Sequence, residues 1–207
     1  MSWTGSLRKF IRKNYDWDHL LPERQPVFVK SLVYSFGALI LASLVSLIIS
    51  GIVLAANGSL WWLDSPTGAF VRAMHYWSVQ CFFFFLILHF VTNFFMAAWR
   101  DGRAGTWMLG WLTLGIGVVT AFTGFLLRGD FFSQWNQVQA KDAFNAMGVG
   151  VWFNVLDNGK LYGLHVAVLP AILLLVIAWH IAEVRRHGVV KPYPLRDAKA
   201  EKEGKVS

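Results

Sequence analysis

Between Arg72 and Arg100 the sequence contains no formally charged residue and is mostly apolar. A helix needs about 20 apolar residues to cross the hydrocarbon core of a membrane. Three further stretches meet this requirement, and the four predicted transmembrane segments cover residues 31–55, 73–98, 104–127 and 161–182. A soluble chain of 207 residues could hardly bury four helices that are apolar on every side. The sequence therefore predicts an all-α, integral membrane four-helix bundle.

Histidines interrupt two of these segments at a regular interval. In the second segment His75 and His89 are fourteen residues apart. On an α-helix this interval corresponds to a rise of roughly 21 Å and returns to within about 40° of the starting direction. His165 and His180 in the fourth segment are fifteen apart, again on nearly one face. Each of these two helices is thus predicted to carry one histidine near each end of the same face.

The basic residues predict how the chain crosses the membrane. The formal net charge is +7, and 15 of the 19 Lys and Arg residues precede the first segment, separate the second from the third, or follow the fourth. The positive-inside rule then places both termini and the 99–105 loop in the cytoplasm. Contact with anionic headgroups explains this charge without a nucleic-acid partner.

The same pattern divides the chain into three regions. Residues 1–30 alternate aromatic and basic side chains, which is typical of an amphipathic helix lying in the cytoplasmic interface. Residues 31–184 form the predicted bundle, and residues 185–207 a charged cytoplasmic tail. The outer connection 128–160 is long and partly apolar, which favours one or two short helices on the outer surface. The single cysteine, Cys81, excludes an internal disulfide and is expected to be a small buried residue.

The predicted topology pairs the histidines at two depths. The second and fourth helices run in the same direction, so His75 and His165 lie near the outer surface (the outer pair), and His89 and His180 near the cytoplasmic surface (the inner pair). Ionisable residues inside a membrane are costly and usually functional. Two imidazoles at each depth suit the two axial positions of a haem, which would leave no open position and so favour electron transfer. A zinc site would need more ligands at each depth.

Glycines repeat the histidine interval in the other two helices. Gly37 and Gly51 are fourteen apart in the first segment, as are Gly110 and Gly124 in the third. Membrane helices often use glycine for close contacts, but the shared interval also predicts two gaps in which a flat ring could lie. Arg72, three residues before His75, could neutralise a cofactor carboxylate or reach the headgroups.

These residues resemble the N-terminal, haem-carrying half of cytochrome b from the quinol:cytochrome c oxidoreductases, the bc-type complexes. The resemblance covers residues 26–188 and rests on the glycine pairs and on the motifs RAMH, TWMLG, TGFLL and LYGLHVAVLP with its later WH. The fifteen-residue interval and a chain that ends after the fourth helix are similar to the split, chloroplast-type form. In that form a separate subunit carries the remaining helices.

The resemblance implies a function and a set of roles. It implies an electron-transfer subunit of an oxidoreductase in a bacterial-type energy-coupling membrane, which connects an outer quinol-oxidising site to an inner quinone-reducing site. Its implied partners are the subunit with the remaining helices, a Rieske-type iron–sulfur protein, a c-type cytochrome and quinone, in a dimeric complex. The outer pair would ligate one haem b and the inner pair another, with Arg72 at an outer propionate and Arg185 near the inner haem and quinone site.

Two departures from the family pattern leave alternatives open. Arg128 and Gly129 stand where the family usually has Pro-Trp in the outer quinol site. Ser35 stands where the split form attaches an extra haem through cysteine, so no covalent haem is expected. The first departure keeps open a dihaem anchor that links another respiratory dehydrogenase or reductase to the quinone pool. A non-redox transporter or scaffold with structural histidines is the remaining alternative.

Overall fold

The computed structural model describes residues 27–58 and 60–191, a part of the chain that contains helices and no strand. Four helical spans in this part are long and apolar enough to cross a membrane, as the sequence predicts. They are Leu32–Asn57, Pro66–Phe95, Ala104–Leu126 and Asn158–His187. The chain is a multi-pass α-helical membrane protein. The predicted interfacial helix and the end of the tail lie outside the described residues.

The first span joins a 3₁₀ turn to an α-helix, and the second and third spans are each a single α-helix. Two 3₁₀ turns, Val27–Lys30 and Leu32–Ser35, lead into α1. The helices of this half of the chain are α1 (Phe36–Asn57), the short α2 (Trp61–Asp64), α3 (Pro66–Phe95) and α4 (Ala104–Leu126).

The fourth span changes its helical geometry along its length. It consists of α6 (Asn158–Gly163), a π-helical turn (Leu164–Val168) and α7 (Leu169–His187). Before it, the outer connection forms α5 (Phe131–Ala146) and a 3₁₀ turn (Val149–Val151).

Helix α3 begins before the apolar stretch from which it was predicted. Ser65 caps the helix by accepting a hydrogen bond from the backbone N–H of Gly68 at 3.2 Å, and Pro66 occupies the first turn. Both signals lie ahead of Arg72, so the arginine is inside the helix and not at its border. Arg72 therefore lies within α3, one turn closer than His75 to the N-terminal end of the helix.

An apolar cluster fills the bundle between the two histidine depths. Helix α1 packs mainly against α3, and α4 against α7. The buried members of the cluster are Ile40, Leu44, Phe82, Leu86, Leu173 and Ile177. A second cluster, made of Leu126, Ala140, Val155 and Leu161, seats the outer connection on the ends of α4 and α6. The histidine depths are therefore separated by a packed apolar spacer, which fixes their vertical spacing.

Much of each span's surface is left for lipid or for other chains. Large apolar side chains such as Ile52, Phe84 and Leu175 are exposed. Cys81 is also exposed, so the expectation that it is buried is wrong. Helix α3 is apolar on nearly every side, and its sequence therefore carries too little periodicity to orient one small residue.

Candidate cofactor site

The outer pair brings two imidazole rings from α3 and the π-helical turn close together. The ring centroids of His75 and His165 are 6.4 Å apart, with an angle of 79° between the planes. A metal bound to two imidazole nitrogens at about 2 Å each would place the ring centres roughly 6 Å apart. The separation of the outer pair is thus compatible with one metal between the rings.

Hydrogen bonds to Ser50 define the protonation of His75. The Ser50 hydroxyl donates its single proton to the backbone carbonyl of Ser46 at 2.6 Å. Its oxygen lies 2.9 Å from Nδ1 of His75 and must therefore accept from that nitrogen. The proton of a neutral His75 is on Nδ1, which leaves the lone pair of Nε2 available to a metal.

His165 is oriented in the same way from α4. Its Nδ1 lies 3.0 Å from the backbone carbonyl of Thr120, which can only accept, so Nδ1 is the donor. The Thr123 hydroxyl, which donates to that same carbonyl, is 3.1 Å from Nδ1 and accepts as well. Metal-ligating histidines commonly hold their second nitrogen this way, because the bond fixes both tautomer and ring direction.

The inner pair has weaker support. His89 and His180 are close enough to interact electrostatically. The Asn93 amide nitrogen is 3.3 Å from Nδ1 of His89 and 3.4 Å from Nε2, which is long for a hydrogen bond. Nδ1 of His180 is buried without a hydrogen-bond partner, although the backbone carbonyl of Thr106 lies nearby. The protein therefore holds the inner imidazoles less firmly than the outer ones.

Each predicted glycine faces one of the predicted histidines. A Cβ atom added to Gly51 would lie 3.3 Å from Cε1 of His75, and one added to Gly124 only 2.5 Å from Cε1 of His165. The corresponding distances at the inner pair are 3.6 Å from Gly37 to His89 and 3.5 Å from Gly110 to His180. Any larger residue would reach the imidazole, so all four glycines leave space at a ligand position.

Charged residues gather beyond the outer pair. The Arg72 guanidinium lies 3.6 Å from the ring centroid of Trp62 and interacts electrostatically with Arg128 and Asp130. Arg128 forms an ion pair with Asp130 at 2.6 Å. The hydrogen bond from the Ser133 backbone, followed by the charge of Arg128, holds the pKa of the Asp130 carboxyl below its usual value. Two cations therefore lie one turn outside the outer pair, where an anionic cofactor edge would need them.

Arg185, the other predicted arginine, is exposed in the last turn of α7. Two hydrogen bonds formed by other residues connect the inner ends of the helices. Arg103 donates to the backbone carbonyl of His187 at 2.9 Å, and the Tyr34 hydroxyl to that of Val190 at 2.8 Å.

Sequence reasoning missed the hydroxyl groups that hold the outer pair. Ser50 and Thr123 each stand immediately before a glycine of the fourteen-residue pattern, namely Gly51 and Gly124. The inner glycines follow Phe36 and Leu109 instead. The Ser-Gly and Thr-Gly pairs could therefore have distinguished the two depths.

The available donors limit the kind of metal centre. Within residues 27–58 and 60–191, no three His, Cys, Asp or Glu side chains are grouped so that they could hold a metal ion. Each depth offers two imidazoles, so a metal there must arrive with its other ligands. A planar macrocycle with an apolar body meets this requirement in a membrane bundle.

Four membrane-length helices with two depths of paired histidines define the class as an integral membrane bundle of the cytochrome type. The family model described as "Cytochrome b(N-terminal)/b6/petB" matches residues 80–206. The chain belongs to this family, whose members bind haem b, and it is a membrane cytochrome b.

Individual relatives place the chain among cytochromes b of bc-type complexes. It is 26% identical over 189 residues to cytochrome b6 of Heliobacterium modesticaldum, covering 81% of this chain and 89% of that one. It is 28% identical over 222 aligned positions to the menaquinol:cytochrome c reductase cytochrome b subunit of Geobacillus thermodenitrificans, covering 88% and 99%. Cytochrome b6 of Heliomicrobium gestii is 28% identical over 136 residues, 60% of this chain and 64% of that one.

A solved structure has the same fold. A chain of a hyperthermophilic respiratory Complex III superposes with a TM-score of 0.70 at 22% identity, over 97% of this chain. The present chain corresponds to 61% of that longer chain. The chain therefore shares the fold of a part of that longer chain.

Proposed function

We propose that the chain is the dihaem cytochrome b subunit of a quinol:cytochrome c oxidoreductase, and that it moves electrons between an outer quinol-oxidising site and an inner quinone-reducing site. The observation that carries the proposal is the one-to-one match of four histidines with four glycines at two depths. Haem held at these positions supplies one-electron redox centres. The fourteen-residue interval separates the two depths by roughly 21 Å, most of a hydrocarbon core of about 30 Å.

The residues of the chain have defined tasks in this proposal. His75 and His165 present Nε2 lone pairs to the outer haem, and His89 and His180 ligate the inner haem. Arg72 neutralises a carboxylate of the outer haem. Arg185 lies near the inner haem and the inner quinone site. The haems are held without a covalent bond, since the position that carries a cysteine in the split form is Ser35.

The larger assembly is also part of the proposal. Relatives are named as subunits of a menaquinol:cytochrome c reductase and of a cytochrome bc complex. By analogy, we infer that this chain works in a bacterial-type energy-coupling membrane with both termini in the cytoplasm. Its partners would be a subunit with the remaining helices, a Rieske-type iron–sulfur protein and a c-type cytochrome, in a dimer.

Replacement of single ligands tests the assignment. The purified chain should contain two haem b groups by the pyridine haemochrome assay. His89→Ala should lose the inner haem and keep most of the outer one, while His75→Ala should do the reverse. Two haems in both variants would show that these histidines are not the ligands. A colourless wild-type chain would refute a cytochrome function altogether.

A second function is favoured by one local observation. Arg128, which with Gly129 stands where the family usually has Pro-Trp in the outer quinol site, forms an ion pair with Asp130. The bundle would then be an anchor that connects another respiratory dehydrogenase or reductase to the quinone pool. Mass spectrometry of the native complex distinguishes the two functions. An iron–sulfur protein with a c-type cytochrome supports the first, and a molybdenum or flavin catalytic subunit supports the second.

A further inference from the structure

The intervals between site residues differ by one between the helices. Fourteen residues separate His75 from His89, and fourteen separate the facing glycines Gly110 and Gly124, but fifteen separate His165 from His180. On a continuous α-helix the additional residue would rotate the second histidine by about 100° and raise it by about 1.5 Å. A regular helix could not direct both histidines of this span at glycines spaced by fourteen.

The histidines of the fourth span nevertheless meet both glycines of α4. His165 lies against Gly124, and His180 against Gly110. Between these contacts the span contains the π-helical turn Leu164–Val168, which includes His165. There the backbone N–H of Leu169 bonds to the carbonyl of Leu164, five residues earlier. A turn closed in this way holds one more residue than an α-helical turn.

The sequence gives a reason for the location of the wider turn. Pro170 follows directly and has no backbone N–H to donate. In a regular helix its ring would also clash with the carbonyl four residues earlier. A wider turn ahead of the proline relieves this conflict, so Pro170 favours the π-helical turn here and not elsewhere in the span.

We propose that the π-helical turn is a register device: it absorbs one residue of the fifteen-residue interval, so that His165 and His180 point into the same two sites as His75 and His89. Fifteen residues with one wide turn advance through the same angle as fourteen in a regular α-helix. The turn is thus a positioning segment for both haems. This inference rests on the proposed dihaem function and adds the reason why an unequal interval is compatible with it.

Matched single-residue deletions test the device. Ala167 is exposed inside the wide turn, and its deletion gives a fourteen-residue interval. Because the proline would then follow His165 by four residues, the variant is also made with P170A, which permits a regular helix. Both haems should remain in the ΔAla167/P170A chain, at the wild-type ratio of two per chain by pyridine haemochrome. P170A alone serves as its background.

The control is the same deletion in the helix that lacks a wide turn. Cys81 is exposed between His75 and His89 in α3, and its deletion should reduce the content to one haem or none. Loss of a haem from a ΔAla167/P170A chain that elutes as a monodisperse peak would overturn the proposal. So would retention of both haems after deletion of Cys81. Absence of haem from the wild-type chain would instead refute the proposed function itself.

Discussion

The outer and inner pairs use the same residue types, but they differ in how firmly the surrounding protein holds the imidazole rings. At the outer pair, both Nδ1 atoms donate to oxygen atoms of a neighbouring helix. A Cβ atom added to the facing glycines would lie only 3.3 Å and 2.5 Å from the imidazoles. At the inner pair, Nδ1 of His180 makes no hydrogen bond of standard geometry, although the Thr106 backbone lies near it. A Cβ atom added to the facing glycines would lie 3.6 Å and 3.5 Å from the imidazoles. The outer imidazoles are therefore oriented by the protein, whereas the inner ones have room to adjust.

This difference has consequences for binding. A ligand that enters a preorganised site loses less free energy to the ordering of side chains. It also depends more on the groups that do the ordering, because their removal frees the imidazole to rotate. We therefore expect changes around the outer pair to be costly, and equivalent changes around the inner pair to be tolerated better.

The largest effect should come from an added methyl group at the glycines. In Gly124→Ala the new Cβ would lie 2.5 Å from Cε1 of His165, so the ring must move. Overpacking of this kind costs about 1–3 kcal/mol, which corresponds to roughly fivefold to 150-fold weaker haem binding. Titration of the apoprotein with haem should show the loss at the outer site alone.

Gly110→Ala is the matched control for this prediction. It is the same substitution on the same helix, but the added atom would lie at an ordinary contact distance of 3.5 Å from His180. Its haem affinity should remain close to that of the wild type. Equal losses in the two alanine variants would remove the proposed difference in packing between the pairs.

An intermediate effect is expected from the hydroxyl groups. Thr123→Val keeps the shape of the side chain but removes an acceptor of the His165 Nδ1 proton, and Ser50→Ala does the same for His75. Loss of such supporting groups typically weakens metal binding by about 10–100-fold. Both variants should lie near the lower limit. The carbonyl of Thr120 still accepts from His165, and the Leu47 backbone still offers an acceptor to His75.

The inner counterpart of the hydroxyl variants is Asn93→Ala. The Asn93 amide makes only long contacts with the His89 ring, so its loss should change the inner haem affinity less than either hydroxyl variant changes the outer. Haem binding at the outer pair and at the inner pair can be followed separately from the optical spectra, with His75→Ala and His89→Ala as references. An inner loss as large as the outer one would contradict the comparison.

The sequence predicts more of the ligand set than of its support. Four apolar segments, four histidines and four glycines follow from length and interval alone. The supporting hydroxyls do not, because a Ser or Thr in a membrane helix usually bonds to its own backbone, as Thr113 does to the carbonyl of Leu109. Whether such an oxygen also accepts from a neighbouring histidine depends on how two helices pack.

Local conflicts explain the other differences. The unequal histidine interval is visible in the sequence, but the place where the extra residue is absorbed depends on Pro170 and on the helix that faces it. The apolar pattern predicts that the second segment begins at residue 73, directly after Arg72, yet the cap at Ser65 and Pro66 sets the start of α3. In both cases the backbone hydrogen bonds, and not the apolar pattern, determine the outcome.

The smallest effect should come from the charges beyond the outer pair, and it should appear in the reduction potential of the outer haem. Arg128→Gln removes a cation and leaves Asp130 unpaired, so the reduction potential of the outer haem should fall, because a positive neighbour favours the reduced state. Asp130→Asn should raise it. Both groups are partly exposed and screened by salt, so each shift should be less than the 59 mV that equals a tenfold change for one electron. The inner haem should not respond to either variant.

The control and the pH dependence sharpen this last prediction. Lys160→Gln removes the same charge from a side chain paired with Asp157 and turned to solvent, and should shift neither potential. Because the pKa of the Asp130 carboxyl is lowered, its charge persists well below neutral pH. The difference between wild type and Asp130→Asn should therefore be constant near neutrality and vanish only as the pH falls through that lowered pKa. If the reduction potential of the outer haem shifted in the same direction in Arg128→Gln and Asp130→Asn, the charges of these two residues would not be what sets it.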